Sequence, residues 1–211
     1  EEIGENVLFN SSYTNDNYIR VEGRPSDGGY NIWLTYSHST TQRLYHSSVN
    51  KDHVGGVITD FGQEIRTFDI SKTDDGFIII IGREDGKITY QKMNYFNDTA
   101  LLNFVGERVI LPVTHNASGV AIAKVNDTDA FIAYSANIDD GTGVVSNNIV
   151  TAVLDIETGV LADYTAIVNT DTVGNQYYPA ISCTGTPGQA MITWENRDAL
   201  QNDATVSSIF G

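Results

Sequence analysis

One cysteine, Cys183, stands in a chain of 211 residues. A disulfide within the chain is therefore excluded, and no metal centre can rest on cysteine pairs. The thiol reads instead as a small apolar side chain buried in a strand. Positive charge is scarce as well: 12 Lys and Arg face 27 Asp and Glu, a formal charge of −15. Nucleic acid and anionic membrane both call for clustered positive charge, so neither is an expected partner. Long apolar runs are missing. Phe77-Ile78-Ile79-Ile80-Ile81 has the length of a strand, far short of the roughly 20 residues of a membrane helix. No stretch of a dozen residues keeps apolar positions at helical spacing. Gly-x-Ser-x-Gly, the phosphate loop and the dinucleotide fingerprint are also absent. No catalytic and no cofactor-binding residue is nominated. The chain begins Glu1-Glu2-Ile3 rather than with Met, which predicts a processed mature form or an excised piece.

What the sequence does contain is a phrase written four times. The copies are Asn15–Ser37, Thr67–Asp85, Gly119–Asn137 and Gly174–Asn196. Each opens on a short alternating stretch, such as Tyr18-Ile19-Arg20-Val21 or Pro179-Ala180-Ile181. A turn rich in Gly, Asp, Asn or Pro follows, then a more apolar stretch. Three of these end on an aromatic residue, Tyr36, Tyr134 and Trp194, and the second places Gly82 there. Two such stretches joined by a polar turn predict a β-hairpin. A third stretch follows each hairpin: Arg43–His46, Lys87–Gln91, Ile149–Leu154 and Val206–Phe210. A fourth follows in three copies: Gly56–Ile58, Ala100–Phe104 and Thr165–Asn169. Four short strands per unit is the content of a propeller blade. The expected fold is therefore all-β and propeller-like, about four blades of four antiparallel strands in a single domain. Its units are 17–58, 63–105, 118–169 and 175–211, and the strand 5–10 completes the last. Such closure would leave no open edge to pair with other chains.

Gly174-Asn175-Gln176, Pro179 and Thr193-Trp194-Glu195 resemble a propeller-type β repeat found in large secreted or cell-surface adhesin-like proteins. The resemblance implies a fold and an extracellular or cell-surface location. It brings no catalytic residue. Fold alone does not fix function.

The candidate sites follow from composition and position. Asn137, Asp139 and Asp140, with Asp127 and Asp129, supply oxygen donors in tight turns, and calcium is the cofactor they would suit. Asp and Asn also favour turn geometry without any ion. Asn10, Asn97, Asn116 and Asn126 head Asn-x-Ser/Thr sequons and are candidate glycosylation sites. Tyr13, Tyr18, Tyr177 and Tyr178 lie where the chain enters a unit, and form the candidate partner surface. Trp33, Tyr36, Tyr134 and Trp194 recur at strand positions and are expected in the core. The stretch Ser26–Trp33 has the flavour of a sialidase Asp-box, but Asp27 directly follows Ser26, and the seven arginines are scattered. His38, His46, His53 and His115 do not have the spacing of a metal site. With 27 acids, no particular pair stands out for glycosidic cleavage.

Together these features predict a non-catalytic module for adhesion or structural assembly, and no enzyme. Its partners would be protein or glycan at a cell surface, or copies of itself. Two alternatives stand beside it. One is a filament or sheath subunit that polymerises by exchanging end strands. The other is a carbohydrate-binding or carbohydrate-active propeller.

Overall fold

A computed structural model gives the architecture. It describes residues 16–23, 31–37, 44–50, 53–59, 65–83, 85–95, 102–113, 115–139, 143, 145–162, 166–169, 174–183, 188–197 and 207–210, with side chains described only from 65 onward. Among these residues there is no helix. The strands fall into four antiparallel sheets, each built from strands consecutive in sequence. The first holds β1 (Asp16–Gly23), β2 (Asn31–Ser37), β3 (Leu44–Asn50) and β4 (His53–Thr59). The second holds β5 (Ile65–Lys72), β6 (Gly76–Arg83), β7 (Ile88–Tyr95) and β8 (Leu102–Ile110). In the third are β9 (Ala117–Lys124), β10 (Asp129–Asp139), β11 (Val145–Asp155) and β12 (Ala166–Ile167). The fourth has three strands, β13 (Asn175–Cys183), β14 (Ala190–Arg197) and β15 (Ser207–Phe210).

The first strands of successive sheets are neighbours: β1 lies beside β5, β5 beside β9, and β9 beside β13. Among the described residues no sheet closes on itself, and the stretch 5–10 lies outside them. Short polar side chains fasten one first strand to the next. Asp69 Oδ2 accepts the Ile122 amide at 2.9 Å, and Ser71 Oγ accepts that of Lys124 at 2.9 Å. These bonds satisfy backbone donors that face the neighbouring sheet rather than a ladder partner.

The second and third sheets press their faces together. Ile78, Ile80, Ile88 and Tyr90 meet Ile122, Ile132, Tyr134, Val150 and Leu154 in one buried cluster. Strand β6 is apolar from Gly76 to Gly82, in keeping with cover on both its faces; Phe77, Ile79 and Ile81, on the opposite side from Ile78 and Ile80, are also buried. Strand β11 alternates instead, with Val150, Ala152 and Leu154 buried and Thr151, Val153 and Asp155 only partly so. Tyr134, expected in the core, is 2% exposed. Trp194 and Cys183, expected buried, are both half-buried. Gly82 replaces the aromatic of the other copies because a Cβ there would come within 2.8 Å of Thr67 Cγ2 and 3.2 Å of Val120 Cγ1.

Two strand ends differ from the sequence expectation for local reasons. Strand β8 runs past Phe104 to Ile110 through a register shift beyond Tyr90. Gly106 supplies the left-handed turn there, with φ 70°, and the buried Gln91 amide donates to Val105 O at 3.0 Å. Strand β12 stops early. At its end the Asn169 side chain takes over the role of a strand, its Oδ1 accepting the Ile149 amide at 2.7 Å.

Candidate functional site

The fourth sheet begins at Gly174, whose φ of 85° is a left-handed turn that glycine makes without strain. The next two residues anchor it. Asn175 Oδ1 accepts the backbone amide of Asn147 at 3.1 Å and its side-chain amide at 3.3 Å. Gln176 is buried and donates from Nε2 to Asn196 Oδ1 at 3.0 Å, across the β13–β14 pair. One side chain thus ties the fourth sheet to the third, and the other ties its own hairpin.

Between Tyr177 and Ala180 the register of β13 against β14 shifts. Pro179 is buried there. Gly119 of β9 makes room for it: a Cβ at that position would lie 3.2 Å from Pro179 Cδ and 3.4 Å from the Tyr178 amide. The bulge gives Tyr178 a φ of 50°, and among the described residues no other non-glycine residue has a positive φ. A bulky side chain in the left-handed region is costly, by roughly 1–2 kcal/mol, and such strain concentrates at functional positions.

The bulge turns Tyr178 outward, where it is 50% exposed. Its ring lies 6.0 Å from that of Tyr177, tilted by 40°. The guanidinium of Arg197 sits over both rings, 5.1 Å from Tyr177 and 5.6 Å from Tyr178, an attractive placement for a cation on aromatic faces. Arg197 Nε donates to Glu195 Oε1 at 2.6 Å, and this hydrogen bond holds the guanidinium pKa above its ordinary value. Asn147 Nδ2 donates to the Tyr177 hydroxyl at 3.0 Å, fixing that ring from the third sheet. The result is a shallow platform of two tyrosines, one guanidinium and one carboxylate at the sheet end where β13 starts and β14 stops. Aromatic faces of this kind stack on flat apolar surfaces, and the flanking polar groups can fix a ligand's orientation.

Of the candidate partner surface, Tyr177 and Tyr178 come together here. Tyr18 lies in β1, and Tyr13 falls outside the described residues. Arg197, Glu195 and Asn147 were not singled out from the sequence. Glu195 did stand in the quoted Thr193-Trp194-Glu195 phrase, but nothing local signals Asn147, which arrives from another sheet.

The acidic turns are engaged in their own geometry. Asn126 Oδ1 accepts the amides of Thr128 and Asp129 at 2.7 and 2.8 Å, and the Thr128 hydroxyl at 2.9 Å. Asp127 accepts from Lys124 at 2.7 Å, and Asp129 Oδ2 accepts from Asn126 Nδ2 at 2.9 Å. Asp139 Oδ1 caps the Gly143 amide at 3.0 Å; Asn137 lies in β10, and Asp140 falls outside the described residues. Among the described residues no three His, Cys, Asp or Glu side chains group as metal ligands. Of the sequons, Asn116 and Asn126 are exposed, whereas Asn10 and Asn97 fall outside the described residues.

No protein-family model matches the chain, and no curated protein does so either. Solved structures give weak likenesses. A GH43 endo-arabinanase from Bacillus licheniformis is similar over 91% of this chain and 71% of its own, with 12% identity and a TM-score of 0.49. A thermostable family-43 glycoside hydrolase is similar over 84% of this chain, with 12% identity and a TM-score of 0.39. This chain covers 65% of that second protein, less than two thirds of its length. Both are enzymes that act on glycosides, so the expectation of a non-catalytic adhesion or assembly module, and of no enzyme, is corrected here. No substrate or catalytic residue passes from these two proteins to this chain.

Proposed function

We propose that the chain is a carbohydrate-active propeller that binds glycan on the Tyr177–Tyr178–Arg197 platform. Tyr178 carries the reading. Its backbone occupies a conformation that glycine would take without strain, yet the residue is tyrosine and half its surface faces outward. A strained backbone beneath an exposed ring makes sense where the ring is used. Sugar rings present flat C–H faces to such a surface, and their hydroxyls suit the Tyr177 hydroxyl and the carboxylate of Glu195.

The finer architecture belongs to the same proposal: four blades, one per sheet, in a single domain, the last completed by the strand 5–10. The contacts that run from β1 through β5 and β9 to β13 support it. An extracellular location with a cell-surface glycan as partner suits the acidic surface.

The test is binding to a panel of soluble polysaccharides by affinity electrophoresis, run beside a hydrolysis screen. Tyr178→Asn removes the ring and keeps a residue that tolerates the left-handed region. Retardation by at least one polysaccharide is expected, weakened about tenfold or more in the variant. No interaction and no hydrolysis across the panel would overturn the proposal.

A further inference from the structure

The charge on the platform points to the kind of glycan it takes. Among the described residues Arg197 is its one cationic group, and Glu195 pairs with it at 2.6 Å. Elsewhere among the described residues, other cations lie against carboxylates too: Arg83 and Lys87 with Asp85, Lys92 with Glu157, and Lys124 with Asp127. The chain as a whole carries −15. A polymer bearing a carboxylate on each sugar would approach a negative body and find the nearest guanidinium already paired through its Nε. At distances larger than their 2.6 Å separation, the opposite charges of Arg197 and Glu195 sum to none, so no net attraction reaches an approaching carboxylate. The tyrosine faces lose nothing by this, because stacking does not depend on ligand charge.

We infer that Glu195 is a specificity-determining residue: by holding Arg197 it makes the platform select uncharged glycans over uronate-bearing ones. The inference rests on the proposed carbohydrate function. Glu195 is suited to the role because it lies two residues from Arg197 on the same face of β14 and is only 24% exposed, whereas Arg197 is 53% exposed. As a stabilising feature this exposed pair counts for little; its effect is on the local potential.

The experiment compares a neutral β-glucan and a neutral arabinoxylan with polygalacturonate and alginate, by affinity electrophoresis at low and high salt. The proteins are the full chain, Glu195→Gln and Tyr178→Asn. The unaltered chain is expected to bind a neutral polymer, with little response to salt, and to ignore the uronates. Glu195→Gln releases the guanidinium and is expected to gain salt-sensitive uronate binding of about tenfold or more, as for a newly available charge contact. A thermal melt near that of the unaltered chain shows that the variant is folded. Uronate binding by the unaltered chain, or no gain in Glu195→Gln, overturns the inference and leaves the carbohydrate function standing. Neutral binding that survives in Tyr178→Asn overturns the assignment to this platform. Failure of every protein to bind any of the four polymers overturns the function and the inference together.

Discussion

Tyr90 shows how much one buried hydroxyl can matter. It donates to Ile156 O at 2.6 Å, joining the second sheet to the turn that follows β11. Burial, reinforced by Glu157, Asp155 and Asp75, pushes its pKa well above the ordinary tyrosine value. Burial likewise pushes Tyr134 up to about 12. Both rings are neutral in the folded chain, while in the unfolded chain they ionise near pH 10. The stability they contribute is whole below that pH and declines as pH rises toward the folded values. Thermal melting is therefore expected to fall with a steepening slope above about pH 10. Tyr90→Phe should lower stability at neutral pH by roughly 1–3 kcal/mol, since Ile156 O loses its buried donor. It should also flatten the alkaline slope. A slope unchanged in Tyr90→Phe would show that other groups control it.

Among the elements, the β9–β10 turn was legible residue by residue. Asn126, Asp127 and Asp129 belong to a class that builds turns through side-chain bonds; here Asn126 accepts the following amides, while Asp127 accepts from Lys124 and Asp129 from Asn126 Nδ2 and the Thr128 hydroxyl. Asn126→Ala removes three accepted bonds. The expected loss is about 1 kcal/mol, or roughly 2–4 °C of melting temperature for a chain of this size, read by a thermal melt with the sugar-binding assay unaffected. The bulge in β13 was not legible. Tyr177-Tyr178-Pro179 reads as an ordinary approach to a strand, and the left-handed Tyr178 arises because β9 comes close enough to demand Gly119 and a buried Pro179. Strand β12 was overestimated for a similar reason. Its sequence continues apolar through Val168, but the Asn169 side chain substitutes for the next ladder acceptor.

At the scale of the whole molecule, stability rests on faces pressed between sheets. Ile80 is fully buried in the cluster shared by the second and third sheets. Ile80→Ala is expected to cost about 2–5 kcal/mol, the usual range for emptying a packed core position. Chemical denaturation would check it. A cost well under 1 kcal/mol would mean that the two sheets do not share a core. The cross-sheet ion pairs, Lys92–Glu157 and Lys124–Asp74, lie at the surface and should add little beside this.

The sequence by itself determined the strands, their antiparallel order and most of the turns. Those features depend on neighbours a few residues away and on the alternation of apolar side chains, which a linear reading sees directly. Only the tertiary structure decided which residues meet across sheets. Asn147 holds Tyr177 from 30 positions away, and Arg197 returns along β14 to lie over Tyr177 and Tyr178. Such meetings are set by how the sheets pack and by where a bulge turns a side chain. Neither leaves a periodic trace in the order of the residues.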